Sequence, residues 1–160
     1  MSSDDSRIYS SPHSGNSGTR PVNALPEGSE VGGLIIGPVL GNGGFGLVYQ
    51  AHDKHQRRYA LKEYLPSGIA SRGPDRQRIS ANSARYQQAY DQGLKRFIEE
   101  GRTLSRLSHP HIVKQHRHIE ANGSGYLVMD YIEGQTLEQY RSQHPEQITP
   151  EQIQNWLRQL

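Results

Sequence analysis

The sequence predicts an α+β fold: three strands, one long helix, two more strands and then short helices. Three observations predict it. Four glycines, Gly41, Gly43, Gly44 and Gly46, crowd between two β-prone runs. The run "RRYALKEYL" alternates with the period of a strand. Leu94, Phe97, Ile98, Leu104 and Leu107 recur with the period of a helix.

The elements follow in order. Residues 1–26 are rich in Ser, Gly, Asn and Pro without an apolar period, and are expected to form a disordered tail. "VGGLIIGPVLG" is a first strand running into the glycines, and "LVYQAHD" a second strand leaving them. "DKHQ" is a polar turn before the third strand, "RRYALKEYL". Residues 66–90 carry Pro66, Gly68, Gly73 and Pro74 and are expected to be a long irregular insertion, more mobile than its surroundings. A helix spans 94–107. "HPHIVKQHRHIE" and "GYLVMDYI" are strands joined by the turn "ANGSG". Residues 136–144 form a short helix. Thr149 caps the last one, with Pro150 at its first position and Gln152 completing a capping box.

Composition narrows the function. Hydrophobic residues make up 32% of the 160, low for a packed globule, and the tail accounts for much of the shortfall. Cysteine is absent, which excludes disulfide and thiol chemistry and fits a cytoplasmic protein. A net charge of +2 gives no argument for nucleic acid. No stretch approaches the roughly 20 apolar residues of a membrane span.

Glycine this dense costs a helix or strand stability, so something must need bare backbone. The Lys of a Walker A loop is missing, and a strand rather than a helix follows the glycines, which rules out a dinucleotide fingerprint. The spacing Gly41-x-Gly43-x-x-Gly46-x-Val48 fits a hairpin tip folded over phosphates, and equally a flexible tip. In the next strand alternation puts Ala60, Lys62 and Tyr64 on one face and Tyr59, Leu61 and Glu63 on the other. Lys62 is then poised to point under the hairpin. With Phe97 at zero and about 100° per residue, Leu104 falls near −20°, Leu107 near −80° and Glu100 near −60°. Glu100 is thus expected inside the apolar stripe, where a carboxylate needs a cation, and Lys62 is the natural partner.

Together these residues resemble the N-terminal lobe of bacterial eukaryotic-like serine/threonine protein kinases. "GNGGFGLV", "YALK", "FIEEGRTLSRLSHPHIV" and "YLVMDYIEGQTL" stand in that family's order. The resemblance implies a five-stranded antiparallel sheet with a regulatory helix: a lobe over 27–135 and the incomplete start of a helical lobe over 136–160. It implies that Gly41, Asn42, Gly43, Gly44, Phe45 and Gly46 cover ATP phosphates. Lys62 would contact the α- and β-phosphates and pair with Glu100. Leu40, Val48, Ala60 and Met129 would sandwich adenine, with Met129 as gatekeeper. The backbone of Asp130 and Ile132 would form the hinge, and Glu133 would reach the ribose.

Two features depart from the family. Lys62 and Glu100 are 38 positions apart, longer than usual. His-Arg-Asp, Asp-Phe-Gly and Ala-Pro-Glu motifs, which supply the base, the Mg2+ ligands and the substrate platform, do not occur in these residues. The expectation is therefore the ATP-binding part of a kinase that phosphorylates protein hydroxyls, inactive as this chain alone. The rival readings are a non-catalytic module that binds a protein partner and a generic nucleotide-binding regulator. His109, His111, His116 and His118 lack acidic or cysteine partners at metal-ligand spacing, so no metal site is assigned. Arg72, Arg76, Arg78 and Arg85 read as a solvated loop, the rival reading being a site for an acidic partner. Trp156 and Leu157 read as helix core.

Overall fold

The computed structural model describes residues 20–144 and 148–159. The strands are β1 (Glu30–Val31), β2 (Leu34–Gly43), β3 (Gly46–His52), β4 (Arg58–Tyr64), β5 (Ala70–Arg72), β6 (Ile79–Ala81), β7 (Gln115–Ala121) and β8 (Ser124–Asp130). The helices are α1 (Ala84–Leu104), α2 (Leu137–Gln143) and α3 (Pro150–Leu157). The main sheet runs β1-β2-β3-β4-β8-β7, every pairing antiparallel, and β5-β6 form a separate hairpin. The five expected strands are all present, with the two-residue β1 added at one edge.

Strand alternation divides the sheet into two faces. Tyr49, Leu61, Glu63, Tyr126 and Val128 are buried, and Leu25, Ile36 and Val31 are buried with them in the main core. On the other face the Tyr64 ring packs at a tilt against Tyr90 and Phe97 of α1, with ring centroids 5.5 and 5.4 Å apart. Helix α1 thus covers the part of the sheet beside Lys62.

Four expectations need correction. Most of the tail, residues 1–19, lies outside the described residues. Residues 20–26 do not behave as a tail: Ala24 and Leu25 are buried in the core, and Arg20 donates from Nε to the Leu25 carbonyl at 2.8 Å. Two apolar residues sufficed to anchor a segment whose composition is otherwise polar. The insertion is also ordered in part, as the β5-β6 hairpin and the first turns of α1. The helix begins at Ala84, ten residues before Leu94; the buried Tyr90 extends the apolar face by one turn, and the turn before it is exposed. Finally, Leu157 is 64% exposed, so the last helix is not packed as core.

Both late helices start at a threonine cap, and the box expected at Thr149 is half formed while a full one stands at Thr136. Thr136 accepts from the Gln139 amide at 3.1 Å while Gln139 Oε1 accepts from the Thr136 amide at 2.9 Å, a complete capping box. Thr149 accepts from the Gln152 amide at 3.2 Å, the first half of such a box.

Candidate functional site

Strands β2 and β3 close on the pair Gly43 and Gly46, with Gly44 and Phe45 at the tip. Gly46 is demanded by the fold. Its φ is +154°, and a Cβ there would lie 1.8 Å from the Glu63 carbonyl oxygen. Gly43 and Gly44 are different. A Cβ on Gly43 would meet nothing within 4 Å, and one on Gly44 only Ser67 Oγ at 4.0 Å. Among the described residues, then, nothing requires these two positions to be bare. The tip is held from one side: the Leu65 amide donates to the Phe45 carbonyl at 3.0 Å and the Ser67 amide to that of Gly44 at 2.9 Å. Asn42 and Phe45 are exposed, Phe45 by 73%.

Beneath the hairpin lies a second apolar cluster, separate from the main core. Leu40, Val48, Ala60 and Met129 form it, with Val113 and Tyr131 packed against them. Cross-strand register explains the grouping, since directly opposed residues share a face. Val48 opposes Lys62, Ala60 opposes Met129, and Lys62 opposes Leu127. The half-buried Lys62 therefore stands on the face of this cluster, as alternation predicts.

Helix α1 reaches the same face. A Cβ on Gly101 would sit 2.4 Å from Leu127 Cδ2 and 2.9 Å from Gln115 Nε2, so the helix backbone presses on the strand beside Lys62. Gln115 Nε2 donates to the Gly101 carbonyl at 2.5 Å, fixing the contact. Glu100, however, is exposed, not buried within the stripe. Tyr90, Phe97, Ile98 and Gly101 are the buried positions of α1. On the wheel used above they centre near +40°, which leaves Glu100 about 100° away on the flank. The buried stripe lies off the arc of the leucines because Leu104 and Leu107 are 37% and 49% exposed, while Tyr90 and Gly101 are buried.

At the end of β8, the Asp130 amide donates to the Lys114 carbonyl at 2.9 Å. Its carboxylate Oδ1 lies 2.6 Å from His116 Nε2 and 3.9 Å from Arg57 Nη2. Ile132 is 59% exposed, and Glu133 forms an ion pair with Arg58 at the surface. A cavity of about 730 Å³ opens beside this segment, between it and the turn after α1, with Ile112, Val113, Ile132 and Leu137 in its walls. It lies beside the end of β8, not beneath the glycines. The histidines disperse: His116 goes to Asp130, and His111 Nδ1 lies 2.8 Å from the Gln159 carbonyl. Among the described residues no three His, Asp or Glu side chains gather as metal ligands.

One group escaped sequence reasoning. Glu63 is fully buried on the face away from Lys62, and Arg72 Nη2 meets its Oε2 at 2.5 Å with both side chains sealed from water. The Tyr49 hydroxyl donates to the same oxygen at 2.7 Å. Burial pushes the Tyr49 and Tyr126 hydroxyls well above the ordinary tyrosine range, and the Glu63 charge adds to it. Burial opposes the charge on Arg72, yet the neighbouring Glu63 carboxylate holds its guanidinium above the usual value. Arg72 is therefore no solvated loop residue. The available signal was an acid at position 63 among apolar neighbours, facing away from the lysine.

The family model described as "Protein kinase domain" matches residues 35–160. The chain belongs to the protein kinase family. Serine/threonine-protein kinase PknF of Mycobacterium tuberculosis is 32% identical over 123 residues, which are 76% of this chain and 22% of that protein. PknD of the same organism is 27% identical over 139 residues, 86% of this chain and 18% of that one. Among solved structures, "PpkA-294 apo form" superposes with a TM-score of 0.76 at 36% identity, covering 83% of this chain and 47% of the other. The kinase domain of M. tuberculosis PknI gives a TM-score of 0.59 at 25% identity over 81% of this chain and 45% of the other. The two curated relatives are named serine/threonine-protein kinases, and this kinase chain spans about a fifth of their length.

Proposed function

We propose that this chain is the ATP-binding lobe of a serine/threonine protein kinase, which in its full-length form transfers the γ-phosphoryl of ATP to protein Ser or Thr hydroxyls. The observation that carries the reading is the pair Gly43 and Gly44. The fold leaves open space where their side chains would be, directly at a tip above Lys62 and a separate apolar cluster. Backbone amides without Cβ atoms can approach phosphate oxygens, and the ammonium of Lys62 supplies a compact countercharge. Leu40, Val48, Ala60 and Met129 offer an apolar slot for adenine, and the backbone at Asp130 and Ile132 offers its hydrogen bonds. Glu100 stands on the exposed flank of α1, and a turn of the helix about its axis would carry it toward the sheet face of Lys62.

ATP in this family travels with Mg2+. Among the described residues no acidic cluster stands ready to hold that ion, so no step is assigned to it here. Nor does any described helix have the length and apolar character to cross a membrane. A cytoplasmic site, where ATP is available, belongs to the same proposal. This chain lacks the group that would position the acceptor hydroxyl, so alone it is expected to bind adenine nucleotide weakly at best and to transfer nothing.

The test is phosphate transfer from labelled ATP to a generic acceptor protein. It is run with this chain, with the full-length gene product, and with Lys62→Ala in each. Transfer by the full-length protein that is lost in its variant is expected. Transfer by this chain that vanished in the variant would refute the claim that the catalytic half lies elsewhere. A full-length protein with neither transfer nor ATP binding would favour the partner-binding module.

A further inference from the structure

The segment from Leu65 to Ala81 grips both walls of the proposed phosphate site. At its start, the Leu65 and Ser67 amides hold the carbonyls of Phe45 and Gly44, and Ser67 Oγ adds a second bond to Gly44 at 3.1 Å. At its centre, Arg72 in β5 meets Glu63 of β4, the residue next to Lys62. Arg72 uses its remaining nitrogens as well: Nε donates to the Asn23 carbonyl at 2.8 Å and Nη1 to that of Gln77 at 2.5 Å. The Tyr49 hydroxyl, bound to Glu63, accepts from the Leu25 amide at 3.1 Å. At its end, the Ile79 amide donates to the Asn122 carbonyl at 2.8 Å, and the Tyr90 hydroxyl of α1 donates to that of Gly123 at 2.7 Å.

We infer that this segment is a brace that sets the phosphate grip, with Arg72 and Glu63 as positioning residues for Lys62 and Ser67 as the positioning residue for the glycine tip. Geometry favours this over a purely stabilising role. A buried ion pair is weak as a source of stability, because apolar residues of similar size often do as well. What the pair does provide is a fixed direction. Adjacent side chains on a strand point to opposite faces, so clamping Glu63 behind the sheet fixes the twist that aims Lys62 in front. The Ser67 bonds fix the height of the tip over the same point. Both contacts bear on phosphates and neither on the Leu40, Val48, Ala60 and Met129 slot.

The inference rests on the ATP reading, and its test separates the two. Affinities for ATP and for adenosine, which lacks phosphates, are measured by calorimetry on the full-length gene product. The variants are Glu63→Gln/Arg72→Met, Ser67→Ala and Lys62→Ala, each first checked for its fold by circular dichroism. Lys62→Ala should lower the preference for ATP over adenosine. If it does not, the ATP reading itself fails. The double variant, which leaves no unpaired buried charge, should lose about tenfold in ATP affinity, or ~1.4 kcal/mol. Its adenosine affinity should stay within about twofold of the wild-type value, as set by the untouched apolar slot. Ser67→Ala should show a smaller loss of the same selectivity. A folded double variant with the wild-type preference for ATP would overturn the brace. Should that variant not fold, Ser67→Ala and Arg72→Lys decide by the same ratio, and no change in either overturns it.

Discussion

Replacing Gly101 by alanine sets two effects of opposite sign against each other. In an exposed helix the change stabilises by about 1 kcal/mol, since alanine is the better helix former. Here the new methyl would lie 2.4 Å from Leu127 Cδ2 and 2.9 Å from Gln115 Nε2. Leu127 is 4% exposed and Gln115 3%, so neither has solvent to retreat into. Overpacking of this kind costs about 1–3 kcal/mol. Displacing Gln115 also breaks its bond to the Gly101 carbonyl and leaves a buried amide unsatisfied, at about 1–3 kcal/mol more. The losses win, and a net destabilisation of about 2 kcal/mol is expected. Urea unfolding followed by tyrosine fluorescence and circular dichroism measures it, since Tyr49, Tyr64, Tyr90 and Tyr126 are buried in the region concerned. With a slope of about 2 kcal/mol per molar, the midpoint should fall by roughly 1 M at unchanged slope. Trimming the neighbour as well, in Gly101→Ala/Leu127→Ala, should recover less than the full loss, because Leu127 contributes its own burial. A Gly101→Ala midpoint equal to or above the wild type would refute the close approach of α1 to β8.

Three further outcomes are expected. Arg72→Met alone should destabilise the chain by about 3–5 kcal/mol in the same urea experiment, and Glu63→Leu/Arg72→Met should restore most of it, because only the single variant strands a buried charge. Thr136→Ala removes the cap of α2 and should lower its helical content at a cost of about 1 kcal/mol, read by amide exchange in residues 137–143. The third concerns alkaline pH. Tyr49 keeps its proton in the fold far above the ordinary value of 10.0. Its stabilising contribution is therefore complete below pH 10 and is lost as pH rises beyond it, by up to ~1.4 kcal/mol per pH unit. Tyr49→Phe should flatten that alkaline decline in a series of thermal melts.

Much of the sheet was legible because its signals are local. Period-2 alternation alone put Lys62 and Ala60 opposite Glu63 and Leu61, and the register confirms the division. The capping residue Thr149, with Pro150 after it, located α3 in the same way. Contacts between distant segments were not legible. Nothing local marks Leu25 as core or Arg72 as buried, since each is explained only by the Tyr49 and Glu63 groups waiting behind the sheet. The phase of α1 was misjudged for a related reason. A glycine carries no hydrophobic signal, yet Gly101 lies at the centre of the buried face. The glycine loop shows the limit from the other side: the sequence marked four glycines alike, and only the fold separates Gly46, which the strand requires, from Gly43 and Gly44, which it does not.

Hydrogen–deuterium exchange of the full-length gene product, with and without ATP, bears most directly on the proposed nucleotide site. ATP binding is expected to slow exchange in residues 40–48, at Ala60 to Lys62 and in residues 129–132, with α3 unaffected. Protection that appeared elsewhere, while the glycine hairpin and the hinge exchanged as before, would contradict it.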